Sequence, residues 1–365
     1  MKRFSFIAGI MVTVIILGIF LISTDDGETE ITRDVTKVGL ILNGSKMDDN
    51  WGESHYQGLI SCEESLNLQV VCMENVPQDD ECLNTIESLI QDGCRIIICN
   101  SFGFGEYVSQ MAEKYPDIYF FHATGTEQGD NLVTYFGRIY QMRYLSGIVA
   151  GMQTGTDKIG YVAAFPIDEV NRGINAFTLG VRAVNKDAEV YVQWSGSWTD
   201  ETMNREATQK LLQAHEIDVV AMHTDSNEPL KVAEEQKIWS IGYNIDNSEL
   251  YPDSYLTAPI WRWENFYEPH ILSCLQDKFI GKHYWLGVES NLISLAPFTS
   301  NVRPGIDAVV QQELLKLQSG NYDVFYGPIE DNTGKIRVPE NESMSDYSML
   351  NEFDWYVKGV VLNEE

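Results

Sequence analysis

Four tryptophans stand in settings that suit recognition of a flat ligand. Trp51 follows the polar run MDDN, Trp198 lies in SGSWTDE, and Trp261 and Trp263 flank one arginine in IWRW. Short polar side chains occupy comparable places. Asp48, Asp49 and Asn50 precede Trp51, Ser101 lies in NSFG, Asp225 and Ser226 in HTDS, and Asn244 and Asp246 in GYNID. Aromatic planes can cover both faces of a ring system while carboxylates and amides read its rim. A purine base fits that chemistry. A phosphate ester does not, because the acids would repel it and no glycine-rich phosphate loop is present. The sequence also has no G-x-S-x-G elbow and no H-E-x-x-H pair. The acids of MDDNW raise the alternative of a cation-assisted nucleoside-processing enzyme, but two adjacent acids are too few ligands for a hard cation. The residues ask for no cofactor and no metal, and they read as a binding site rather than an active site.

Several of these residues have a simpler structural alternative. Asp246 can cap the next helix through a backbone amide, and Asp225 and Ser226 can do the same ahead of PLKVAEE. His122 and His223, at strand ends, fit histidines satisfied by hydrogen bonds to the backbone. Trp261 and Trp263 alternate as in a strand, so one is expected to face in and the other out.

What must position these residues is a series of short apolar runs rich in β-branched side chains. KVGLILN, LQVVCME, CRIIICN, IYFFHAT and LVTYFG alternate with stretches of helical spacing, and KIGYVAAF, AEVYVQWSG, IDVVAMHT, KIWSIGYN and SYLTAPIW repeat the pattern. Strands separated by helix-length segments imply parallel sheets. The expected fold is therefore α/β with two similar lobes, spanning residues 36–155 and 156–258, and residues 259–365 returning to both. In open parallel sheets ligands bind beyond the carboxyl ends of the strands. Each candidate above follows such a run.

The N-terminus and the charge restrict the setting. Lys2 and Arg3 precede an uncharged run from 4 to 23, long enough to span a bilayer as an anchor or to serve as an export signal. Residues 24–35 read as an acidic stalk, and the lobes are expected on the extracytoplasmic face of the cell membrane. With 54 acidic residues against 25 basic ones, the net charge of −29 argues against binding nucleic acid. The six cysteines match no zinc or redox spacing and read as buried thiols.

From about Lys37 to Gly334 the sequence resembles the basic membrane protein family of substrate-binding proteins. The resemblance runs in order through DDNWGESHYQG, GRIYQMRYLSGIVAGMQTGTDKIGYVAAFPIDEVNRGINAFTLGVRAVN, WSGSWTDETMNREATQKLL, DVVAMHTDS, AEEQKIWSIGYNID and LTAPIWRWENFY. It implies a bilobed type I periplasmic-binding-protein fold whose lobes close on a purine base or nucleoside and deliver it to an ABC permease. It also implies roles. Trp51 and Trp198 would cover the two faces of the base, Asp246 would be the acidic contact, and Asn244 would stand where many relatives carry Asp. Ser101 and Asp49 would be rim contacts, and Trp261 lies in the block that closes the series. An amide at Asn244 tilts the expectation towards a base over a nucleoside. Two departures stand out: Asn50 where Gly is common, and Gly52 after Trp51. The rival reading is a membrane-anchored purine sensor that uses the same fold without transport.

Overall fold

The computed structural model describes residues 35–363; the expected anchor and all but the last residue of the stalk lie outside that range. The apolar runs pair as two six-stranded parallel sheets. The first joins β1 (Thr36–Ile41), β2 (Leu68–Met73), β3 (Ile96–Cys99), β4 (Tyr119–Ala123) and β5 (Leu132–Gly137). The second joins β6 (Lys158–Ala163), β7 (Glu189–Trp194), β8 (Val219–His223), β9 (Trp239–Ile241) and β10 (Tyr255–Thr257). In β3 and β8 every residue is buried, as expected of central strands covered by helices on both faces.

The chain passes between the sheets more than once. After β11 (Pro259–Trp261), β12 (His283–Leu286) returns to the first sheet and pairs with β5. Then β13 (Ile293–Leu295) runs antiparallel to β11, β14 (Ile329–Glu330) and β15 (Ile336–Val338) form a small ribbon, and β16 (Val360–Leu362) pairs with β7 in the second sheet. The order 12-5-4-3-1-2 in one sheet and 10-9-8-6-7-16 in the other shows the shared plan of the lobes.

The first connection between lobes is the helix Tyr140–Gln153, in which every residue except Met152 is buried. It packs on the helix Asp168–Val184 with glycine at the crossing. A Cβ at Gly147 would lie 2.0 Å from the Phe177 carbonyl oxygen, and one at Gly180 would lie 1.9 Å from that of Tyr144. A helix buried all round is expected to be apolar all round. This one carries Arg143, which is fully buried. The six cysteines are free thiols, and all but Cys72 are buried. Among the described residues no helix is long and apolar enough to cross a membrane.

Candidate ligand site

The first wall is built at the carboxyl ends of β1, β3 and β5. The Asp48 carboxylate accepts from the amides of Asn50, Gly52 and Glu53, capping the helix Trp51–Ile60. Gly52 is required by that turn, since a Cβ would lie 2.1 Å from the Ser45 carbonyl oxygen. The glycine after Trp51 is thus a packing necessity. Trp51 itself is half-buried and donates from Nε1 to the Asn100 carbonyl. Its ring meets Trp261 edge-on, with centroids 5.8 Å apart, and stands 6.4 Å from Phe136.

Behind Trp51 three rings form a continuous stack. His55 lies 4.3 Å from Trp263 at 16°, and Trp263 lies 4.6 Å from Trp261 at 11°. Both tryptophans are buried, so the expected in–out alternation fails. The physical reason is that the strand ends at Trp261 and the chain turns at exposed Arg262 into the helix Glu264–Leu275, which brings the second ring to the same side. Trp263 Nε1 donates to the Ser54 hydroxyl, and Trp261 Nε1 donates to Asn244 Oδ1 at 2.8 Å.

The second wall lies at the carboxyl ends of β6, β7, β8 and β9. Trp198 is half-buried, 6.0 Å from Phe165 and 6.2 Å from His223. Below it Arg143 donates to the carbonyl of Met222 at 2.6 Å, its guanidinium lying 3.8 Å over the Tyr243 ring. His223 stands between Tyr161 and Glu169, with Nδ1 3.1 Å from the Tyr161 hydroxyl and Nε2 3.2 Å from Glu169. Burial, with Arg143 nearby, pushes His223 down to about 4, so the ring is neutral near pH 7. Burial works against charge on Glu169, but His223, Arg172 and Arg143 outweigh it and hold the carboxyl at about 2. Asp225 goes the other way. Burial, reinforced by Asp48, pushes it up to about 7.

The two walls are tied by amides. Asn244 Nδ2 donates to Asn50 Oδ1 at 2.5 Å and to Asp225 Oδ1 at 2.9 Å. Asn50 Nδ2 donates to Asn227, and the Asp49 carbonyl accepts from both Asn227 and Asn247. Asn50 and Asn244 are fully buried at this junction. Asn50, where glycine was the commoner residue, is therefore a bridge from the first lobe to the second.

Of the residues singled out from sequence, Trp51, Trp261 and Asn244 come together directly, and Trp198 stands on the second wall. Asp49 is exposed, and its backbone carbonyl, not its carboxylate, makes the bridging contacts. Ser101 bonds to Gln78 and accepts from His122 on its carbonyl. Asp246 is exposed and accepts from the amide of Ser248 within a turn, with no helix directly after it to cap, while the carboxyl beside Asn244 is that of Asp225. Arg143 and Glu169 were not apparent as site residues. The one signal for Arg143 was a lone charge within a helix otherwise suited to burial.

Comparison with known proteins agrees with this architecture. Residues 35–322 match the family described as ABC transporter substrate-binding protein PnrA-like (Bmp). A purine-binding protein of Brucella abortus is 31% identical over 89% of this chain and 92% of its own length. A protein named as an ABC transporter glucose-binding protein in Haloferax volcanii is 32% identical, covering 93% of this chain and 84% of its own. Among solved structures, a transcriptional activator of the comK gene from Bacillus halodurans superposes with a TM-score of 0.70 at 26% identity, over 78% of this chain and 99% of its own. A solute-binding protein of an ABC transporter from Conexibacter woesei gives 0.68 at 18% identity, over 79% and 98%, and shares the fold. The family and the bilobed fold are those of substrate-binding proteins rather than enzymes. With the profile match across most of its length, the chain belongs to the PnrA-like family of ABC transporter substrate-binding proteins.

Proposed function

We propose that this protein captures a purine base or nucleoside between its lobes, outside the cytoplasm, and delivers it to an ABC importer. The observation that carries the reading is the pairing of Trp51, half-buried at the mouth of an aromatic stack, with the row Asn50, Asn244 and Asp225 that runs from its own wall to the second. Rings supply the faces and amide and carboxyl groups supply the rim, and the purine-binding relative supports that choice. In this reading residues 4–23 hold or export the chain, and lobe closure around the ligand is the functional motion. Trp51, Trp198, Trp261 and Asn244 are the contacts proposed here, with Asp225 taking the acidic role. Ser101 and Asp49 would stand at the rim, and Asp246 would keep to its turn.

Calorimetry on ligand-freed protein with adenine, hypoxanthine, guanosine, inosine and D-glucose tests this. Binding of at least one purine compound at micromolar concentration or tighter, without glucose binding, is the expected result. Trp51→Ala should weaken it by about 10- to 100-fold, the value of one stacked base. Glucose binding alone would overturn the purine reading. A ligand-responsive regulator is the second reading, favoured by the likeness to the comK activator and by a Bacillus subtilis transcriptional activator 24% identical over 83% of this chain. Loss of labelled-purine uptake on deletion of the gene separates delivery from regulation.

A further inference from the structure

Buried polar atoms without partners gather at the second wall. Arg143 is fully buried and spends only Nη1, on the Met222 carbonyl; among the described residues its Nε and Nη2 have no hydrogen-bond partner. The buried Oε1 of Glu169 is likewise unpartnered, as is, on the first wall, the Asn100 side-chain nitrogen beside the Trp51 contact. Leaving such groups unpaired is costly, and more so when they are charged. Buried groups of this kind are ordinarily satisfied.

The geometry of the guanidinium narrows what satisfies it. The Tyr243 ring covers one face and Met222 takes one nitrogen. What remains is the side edge of the fork, where the Nε and Nη2 hydrogens run parallel and suit two adjacent acceptors. A carboxylate or phosphate has that spacing, and a purine, the ligand class proposed above, can meet it without bringing a charge into the site. The neutral group with the same spacing is the O6/N7 edge of a 6-oxopurine, which arginine reads in the same bidentate way in DNA. Adenine presents an amino group in place of O6 and so sets a donor against a donor.

We infer that Arg143 makes this site selective for 6-oxopurines over adenine, its free side edge pairing with O6 and N7 while Glu169 Oε1 accepts a ring N–H. The inference rests on the purine reading and adds its specificity. Hypoxanthine, adenine and 7-deazahypoxanthine, which lacks the N7 acceptor, are titrated into the same ligand-freed protein by calorimetry. Hypoxanthine should bind about 10- to 100-fold more tightly than either, the value of a charge-assisted hydrogen bond. Arg143→Lys, which keeps the charge and removes the fork, should abolish most of the preference for hypoxanthine over adenine. Equal or tighter binding of adenine overturns the inference, as does full affinity for 7-deazahypoxanthine or an undiminished preference in Arg143→Lys. The analogue series needs no variant, so it decides the matter even where Arg143→Lys fails to fold. Purines that bind without this preference overturn only the specificity, whereas failure of every purine to bind removes the purine reading with it.

Discussion

Asp225 and Glu169 are carboxyls on one wall with opposite proton affinities: burial, reinforced by Asp48 from the other lobe, raises Asp225, whereas on Glu169 burial is outweighed by His223, Arg172 and Arg143. An acid whose pKa is raised on folding adds stability fully below its unfolded value, near 4, and loses it as pH rises through the folded value. For Asp225 that window runs from about pH 4 to about 7. Asp225→Asn, which keeps an uncharged side chain at every pH, should therefore stabilise the ligand-freed protein at pH 8 by on the order of 2 kcal/mol, with little difference at pH 4.5. Thermal unfolding of both proteins across that range checks it; a gap that widens towards low pH would contradict the assignment. Residues of this kind were only partly legible. Trp51 and Asn244 follow strands and could be placed by that alone. Asp225 and Asp246 also follow strands, and only the local turn decides that Asp246 accepts from Ser248 while Asp225 meets Asn244. Arg143 had only one marker, a lone charge in a helix otherwise suited to burial, because what brings it to the second wall is a helix that connects the lobes.

At the level of elements, the strands were legible because β-branched runs and helix-length spacers have different periods. The helix crossing was less so, because closeness of approach depends on which glycines meet. Gly180 leaves no room for a side chain against the Tyr144 carbonyl, and backbone cannot retreat as a flexible side chain would. Gly180→Ala should destabilise the fold by about 2–3 kcal/mol, an overpacking cost measurable by urea unfolding. A midpoint unchanged from the parent would show that the two helices are free to separate. The Trp261–Trp263 pair teaches a related lesson: alternation holds only while a strand lasts, and one residue of turn is enough to place both rings together.

For the whole molecule, the decisive contacts are those between lobes. Sequence could show two α/β halves and the edge where a ligand belongs, but not the pairing of Asn50 with Asn244 and Asn227, which are far apart in the chain. Net hydrogen bonds contribute about 1 kcal/mol each, so removing two of them should shift the balance between closed and open forms by about 10- to 30-fold. Asn50→Ala should then increase the radius of gyration of the ligand-freed protein in X-ray scattering and weaken ligand binding in proportion to the lost closed fraction. Unchanged scattering and affinity would assign closure to other contacts.

The outer strands β12 and β16 also set an order of assembly. The first sheet ends on a strand at 283–286 and the second on one at 360–362, each lying beside a strand made much earlier. During synthesis, β5 and β7 therefore wait with one edge unpaired while the rest of the chain emerges. Each sheet is completed only when a strand from the far end of the chain arrives, so the two halves finish together rather than one after the other.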